Sequence, residues 1–263
     1  MNNFINQKIA LVCEYDGSQF HGWQKQDNLR TVQGHIEQAL SCIAEMSITT
    51  HCAGRTDAGV HAKQQVIHFE TPVERPLKAW IHGTNTHLPC DIRILFAKLM
   101  PDDFHARFSA IARRYQYVIL NRPIAPAIQT HYLTWEYRPL NIDFMNKAAH
   151  YLLGEHDFSS FRAAECQSKS PYRHIDHLKI IRNGEQVIID IKANAFLHHM
   201  VRNIAGMLIS IGAGAKPIDW AKEVLLAKDR RAADVTAPPK GLFLTNVYYP
   251  EQYLCEQELN FVE

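Results

Sequence analysis

An α+β fold is predicted for this chain of 263 residues by three features of its sequence. Strand-like and helix-like segments alternate irregularly, one antiparallel pair is plainly signalled, and each half holds a comparable set of elements. Lys8–Tyr15 reads as a strand stopped by Asp16-Gly17. Val32, Ile36, Ala39, Leu40 and Ile43 recur at helical spacing and predict an amphipathic helix over about 31–45. Strands follow near 48–53 and 65–70, a helix near 77–87 and a strand at 91–99. A β-rich stretch over about 107–120 carries the alternating Tyr115, Tyr117 and Ile119. Phe144, Ala148, Tyr151 and Leu152 mark a helix closed by Gly154. Asn183-Gly184 lies between two apolar runs, a hairpin signal. Helices over about 199–212 and 218–227 precede a last strand at 242–249. Pro123 and Pro126 interrupt the second half without forming a linker.

Composition sets outer bounds. The hydrophobic set is 46% of residues and the charged set 21%, ordinary for a globular protein with a real core. A formal net charge of +1 does not announce a nucleic-acid binder. The distribution says more: Glu251, Glu256, Glu258 and Glu263 crowd the tail, and without them residues 1–250 stand at +5. Segment 162–182 gathers Arg162, Lys169, Arg173, Lys179 and Arg182. The six cysteines show no metal-type spacing and read as small buried hydrophobes in a reducing compartment. No basic-then-apolar leader is visible, and the longest weakly polar run, about 204–215, is shorter than the roughly 20 residues a span needs. A cytoplasmic protein without a membrane segment is expected.

The stretch Cys52-Ala53-Gly54-Arg55-Thr56-Asp57-Ala58-Gly59-Val60-His61-Ala62 carries the chemistry. It sets one carboxylate, Asp57, in a turn between glycines and strands, where another molecule can approach the backbone closely. A plain Asx turn would explain Asp57 but not Arg, Thr and His at fixed offsets beside it. Gly-Arg-Thr-Asp-Ala-Gly-Val-His resembles the signature of the tRNA pseudouridine synthase A family. Six further blocks resemble that family in collinear order: 14–17 with 20–24, 101–109, 112–117, 153–158, 195–203 and 241–244. The resemblance runs from about Lys8 to Pro250.

The resemblance implies two similar ferredoxin-like lobes around a central RNA-binding cleft: an amino-terminal lobe over 1–106 with the Asp loop and a carboxy-terminal lobe over 107–250; the acidic tail, 251–263, lies outside the resemblance. It implies conversion of uridines 38, 39 and 40 of the tRNA anticodon stem-loop to pseudouridine by a homodimer, without a cofactor. Asp57 would be the nucleophile and Arg55 the arginine that replaces a flipped base. Tyr115 would pack on the uracil, Arg202 would favour the ionised carboxylate, and Leu242 would line the uracil pocket. Contacts to tRNA are implied for Arg75, Phe104, His105, Arg107 and Phe108, and for Glu165, Cys166, Gln167, Ser168 and Lys169. The segment 121–130 departs from the family by carrying only Arg122 among its Pro and Ile residues.

The implied reaction gains and loses no atoms, so no cofactor is required; a nucleophilic carboxylate and an unstacked base suffice. No phosphate-binding glycine motif and no metal-spaced cluster occurs. Adjacent His198 and His199 would point to opposite faces of an extended segment and so not share an ion. His51, His61 and Asp57 form a weak metal trio by spacing. Two rival readings stand beside the isomerase: a hydrolase built on Asp57, His51 and His61, and an RNA-binding module using segment 162–182. Neither explains the collinear blocks.

Overall fold

The apolar run Ile9-Ala10-Leu11-Val12-Cys13 is buried on both faces, which makes β1 (Gln7–Tyr15) a central strand. The computed structural model describes residues 6–233 and 235–253. After β1 come α1 (Val32–Ala44), β2 (His51–Cys52), β3 (His61–Thr71), a wide helical turn (Ala79–Gly83) running into α2 (Thr84–His87), and β4 (Ile92–Met100). β1 pairs antiparallel with β3 on one side and β4 on the other, while β2 adds antiparallel to β3. The order β4-β1-β3-β2 of these βαββαβ elements is that of a ferredoxin-like lobe. α1 buries Val32, Ile36, Ala39 and Leu40, the stripe its spacing predicts, and stops where Glu45 turns left-handed at φ 53°.

The chain folds into two compact units, one running up to Ile111 and resuming at Leu244, the other Ala112–Phe243. The second contains β5 (Ala112–Asn121), β6 (Thr134–Glu136), α3 (Ile142–His150), β7 (Gly154–Asp157), β8 (Tyr172–Asn183), β9 (Gln186–Ala193), α4 (Met200–Gly212) and α5 (Trp220–Ala227). Its strands run β5-β9-β8-β7, antiparallel throughout, with β6 parallel to one end of β5. The β8–β9 hairpin turns on Gly184-Glu185, one residue later than Asn183-Gly184 suggests, because Asn183 already pairs with Gln186. Gly184 takes φ +57°, a left-handed conformation that glycine adopts most readily. In α3, whose Asn141 cap accepts from Phe144 N–H, the buried stripe is Met145, Ala148, Ala149 and Leu152. Phe144, expected on that stripe, is exposed. α4 packs closely on α3, for a Cβ on Gly212 would lie 2.7 Å from Met145.

β10 (Leu242–Tyr248) carries the chain out of the second unit and into the first. Gly241, at φ +85°, precedes it and accepts from Val118 N–H at 2.8 Å. From Leu244 on, β10 lies beside β3, and Asn246 Nδ2 donates to Gln64 Oε1 at 3.1 Å. The α+β class and mainly antiparallel sheets expected from sequence are present. β5 begins later than expected, because 101–111 is a chain of turns. Of the cysteines, Cys13 is buried, but Cys42 and Cys90 are exposed and Cys52 and Cys166 half-buried, so most are not core hydrophobes. Cys255 and the acidic tail from residue 254 on lie outside the described residues. Among the described residues no helix is long and apolar enough to cross a membrane.

Candidate active site

Asp57 sits half-buried in the loop between β2 and β3, and the loop is seated on residues 15–23. Ala53 N–H donates to Val66 O at 2.8 Å, so the loop leaves β2 in sheet register. Gln65, fully buried in β3, donates to Gly54 O at 2.6 Å from its amide. Thr56 is held twice: its carbonyl accepts from Trp23 N–H at 3.0 Å and its hydroxyl lies 2.8 Å from Tyr15 Oη. Burial pushes the Tyr15 phenol well up, so it serves as a neutral hydrogen-bonding group. Gly59 N–H reaches Phe20 O at 3.3 Å, and Val60 N–H closes the turn on Asp57 O at 3.1 Å. Two glycines permit this seating. A Cβ on Gly17 would stand 1.9 Å from Val60 O, and one on Gly22, at φ +88°, 2.8 Å from Thr56 O. The backbone on both sides of Asp57 is thus fixed, while Arg55 is exposed at the loop surface.

In the second unit, Tyr115 stands on β5 at 8% exposure with Phe196 edge-on to its ring at 5.0 Å. Arg202 occupies the first turn of α4, and its Nε donates to Ala237 O at 2.9 Å. Leu242, 5% exposed, opens β10 directly after the Gly241 turn. His199 adopts φ 62°, a left-handed conformation, and brings its ring 4.0 Å from that of His198. The opposite orientation expected of an extended pair is therefore wrong here, because the backbone is not extended at His199.

The other histidines of the first unit go to separate tasks. His61, buried, places Nδ1 3.1 Å from Gly17 N and 3.1 Å from Asp16 Oδ1. His51 stacks on His68 at 5.1 Å. Among the described residues His51, His61 and Asp57 do not converge as a ligand trio. His68 is buried and accepts Ala106 N–H at 3.2 Å on Nδ1. Burial, then the neighbouring His105 and His51 imidazoles, push its pKa down to about 3. His105 in turn accepts both Arg107 N–H and Phe108 N–H on Nδ1, at 3.1 and 3.3 Å. Burial first, then His51, Lys8 and Arg107, lower its pKa as well.

These contacts shape the segment that sequence analysis reads as touching RNA. Phe108 is 75% exposed, with its ring 4.3 Å from His105 and Arg107 above its face at 5.6 Å. Phe104 is fully buried against His68, Tyr249 and Tyr253, so it anchors the segment from inside. Arg75 is exposed and paired with Glu45 at 3.1 Å. Glu165, Gln167 and Lys169 are exposed, while Cys166 and Ser168 are half-buried. Burial raises the Cys166 thiol, but His198 and Ser168 N–H groups and the Arg162 guanidinium outweigh it and bring the pKa below the ordinary value. Arg162 also donates to Cys166 O at 2.7 Å, Arg173 to Ser168 Oγ at 2.7 Å and Arg182 to Leu140 O at 3.0 Å. The basic run 162–182 is thus partly structural rather than a solvated face.

The sequence reading did not single out Gln65. A glutamine beside the apolar run Val66-Ile67-His68-Phe69 was the available signal, since a buried amide demands partners.

A model of the tRNA pseudouridine synthase family matches residues 11–109 and 148–250 of this chain. With its α+β lobes and its Asp loop clamped between β2 and β3, the chain belongs to the tRNA pseudouridine synthase family and is an isomerase that converts tRNA uridines to pseudouridine. Curated relatives make the comparison more particular. The tRNA pseudouridine synthase A of Pseudomonas aeruginosa is 56% identical over 247 residues, covering 94% of this chain and 87% of the relative. The proteins of that name from Legionella pneumophila strain Corby and Coxiella burnetii strain Dugway 5J108-111 are 54% and 55% identical over 246 residues, covering 94% of each chain. The expectation of this family from seven short blocks holds.

Proposed function

We propose that the protein isomerises uridines 38, 39 and 40 in the anticodon stem-loop of tRNA, with Asp57 as nucleophile. The reaction breaks the N1–C1′ bond, turns the uracil and forms C5–C1′; the proton lost from C5 is balanced by one gained at N1. Asp57 forms and releases a covalent adduct in this scheme. Arg55 fills the space of the flipped nucleotide, Tyr115 packs against the uracil, Arg202 favours the carboxylate form of the nucleophile, and Leu242 lines the base pocket. The observation that carries this reading is the seating of the Asp57 loop, whose main chain is tied at Gly54, Thr56 and Gly59. Such fixing lets a carboxylate meet a base in one geometry.

The residues expected to touch tRNA belong to the same reading. Arg75, Arg107 and Lys169 supply charge for phosphates, and Phe108, His105, Glu165, Gln167, Cys166 and Ser168 supply the surrounding surface, with Phe104 supporting it from beneath. Three neighbouring target positions call for recognition of RNA shape rather than base sequence. A homodimer in the cytoplasm completes the proposal. The two compact units support a two-lobed division, but with residues 107–111 and the strand from Leu244 on in the amino-terminal lobe rather than in the carboxy-terminal one.

Unmodified tRNA transcripts incubated with the chelator-treated protein, then mapped for pseudouridine by site-specific chemical labelling, test it. Label at 38–40 with wild type and none with Asp57→Asn is the expected outcome. Label at other positions would overturn the substrate assignment, and unimpaired label with Asp57→Asn would overturn the nucleophile.

A further inference from the structure

The segment 235–240 is strapped along α4 by contacts that the reaction scheme above does not use. Asn203, 1% exposed on the first turn of α4, donates from Nδ2 to Phe161 O at 2.7 Å. Its Oδ1 accepts from Thr236 Oγ1 at 2.6 Å and from Arg230 Nη2 at 3.1 Å. Arg230 Nη2 also donates to Thr236 Oγ1 at 2.8 Å, closing a three-membered ring of side chains. One residue on, the strap and the helix exchange bonds: Ala237 N–H donates to Arg202 O at 3.1 Å, and Arg202 Nε donates to Ala237 O at 2.9 Å. Close approach is built in, since a Cβ on Gly206 would lie 2.0 Å from Val235 O. At its far end the strap carbonyls of Pro238 and Lys240 accept from Tyr117 Oη and Thr134 Oγ1, at 2.9 and 2.7 Å. Gly241 and Leu242 follow immediately.

We propose that Asn203, Arg230 and Thr236 are positioning residues for the isomerisation. Their ring of hydrogen bonds holds the Ala237 carbonyl where it directs the Arg202 guanidinium. The proposal rests on the catalytic role of Arg202 given above. A guanidinium has five donors and a long stem, and a carbonyl held on its Nε restricts where the rest of the group points. If the carbonyl drifts, the charge drifts with it. Polar rings of this kind are suited to the task, because each member bonds the other two and a shift of one weakens both of its neighbours.

The test uses Thr236→Val, which keeps shape and removes the hydroxyl, beside Thr236→Ser, which keeps the hydroxyl. Single-turnover pseudouridine formation at saturating tRNA and tRNA binding are measured separately, with and without Arg202→Ala. T236V is expected to slow the single-turnover rate about tenfold while binding stays within about twofold, and T236S to recover most of the loss. In the R202A background T236V is expected to cost nothing further. An unchanged T236V rate while R202A is impaired would overturn the positioning role alone. An equal T236V loss in both backgrounds would also overturn it, showing that Thr236 acts by another route. An unimpaired R202A enzyme would overturn the Arg202 assignment together with the proposal built on it. A loss confined to tRNA binding would reassign the strap to substrate docking and sink the proposal.

Discussion

Gly22 shows how much of the site depends on a single residue far from the nucleophile in sequence. The Thr56 carbonyl takes the Trp23 N–H, and Gly22 can lie against it only because it has no Cβ and adopts φ +88°. Gly22→Ala is expected to lower stability by roughly 2 kcal/mol or more and to reduce turnover beyond the fraction unfolded, because the loop must lift. Denaturant midpoints and single-turnover rates on the same preparation check it; unchanged values in both would show that the seating is dispensable. The Asp57 motif was legible as a run of residue types, and the block at 14–24 as a second run. That the two pack together was not, since nothing in either segment names its partner across the intervening α1. His199 escaped for a related reason: a left-handed residue that is not glycine leaves no mark in composition.

At the scale of elements, β2, β3 and the turns after β4 share a cluster of imidazoles, His51, His68 and His105. His68 is neutral when folded, with a pKa near 3, against about 6.5 for a free histidine. Between those values the unfolded chain binds the proton and the folded chain does not. Stability from this site is therefore complete above about pH 6.5 and declines as pH falls toward 3. His68→Asn keeps an acceptor for Ala106 N–H and cannot titrate. It is expected to flatten the fall of the urea midpoint between pH 7 and pH 5 relative to wild type; parallel curves would remove His68 as the cause. Element types were mostly readable, because apolar periodicity survives in α1, β8 and β9 and a continuous apolar run marks β1. β6 and β7 were not, being short segments whose strand form comes from β5 and β8 alongside them rather than from their own residues.

For the whole molecule, charge is the telling quantity. A net +1 leaves no general field to hold an RNA, so tRNA binding depends on a few placed cations. Each phosphate neutralised contributes a slope of about −0.9 in log affinity against log salt. Arg107→Gln is expected to weaken tRNA binding and to reduce that slope by about one; weaker binding with an unchanged slope would make Arg107 a packing residue. The two-unit plan was visible as two comparable sets of elements. The return of β10 to the first unit was not, because a strand's sequence does not say which sheet edge it will join.

That return has a consequence for how the protein is made. Synthesis delivers β1, β3 and β4 early, yet the strand that lies beside β3 leaves the ribosome only after the residues of the second unit. Until then β3 keeps an open row of main-chain donors and acceptors, the kind of edge that recruits wrong partners. The half carrying Asp57 is thus completed only after the second unit has been made. A message cut short anywhere before Leu244 leaves the first unit without its part of β10.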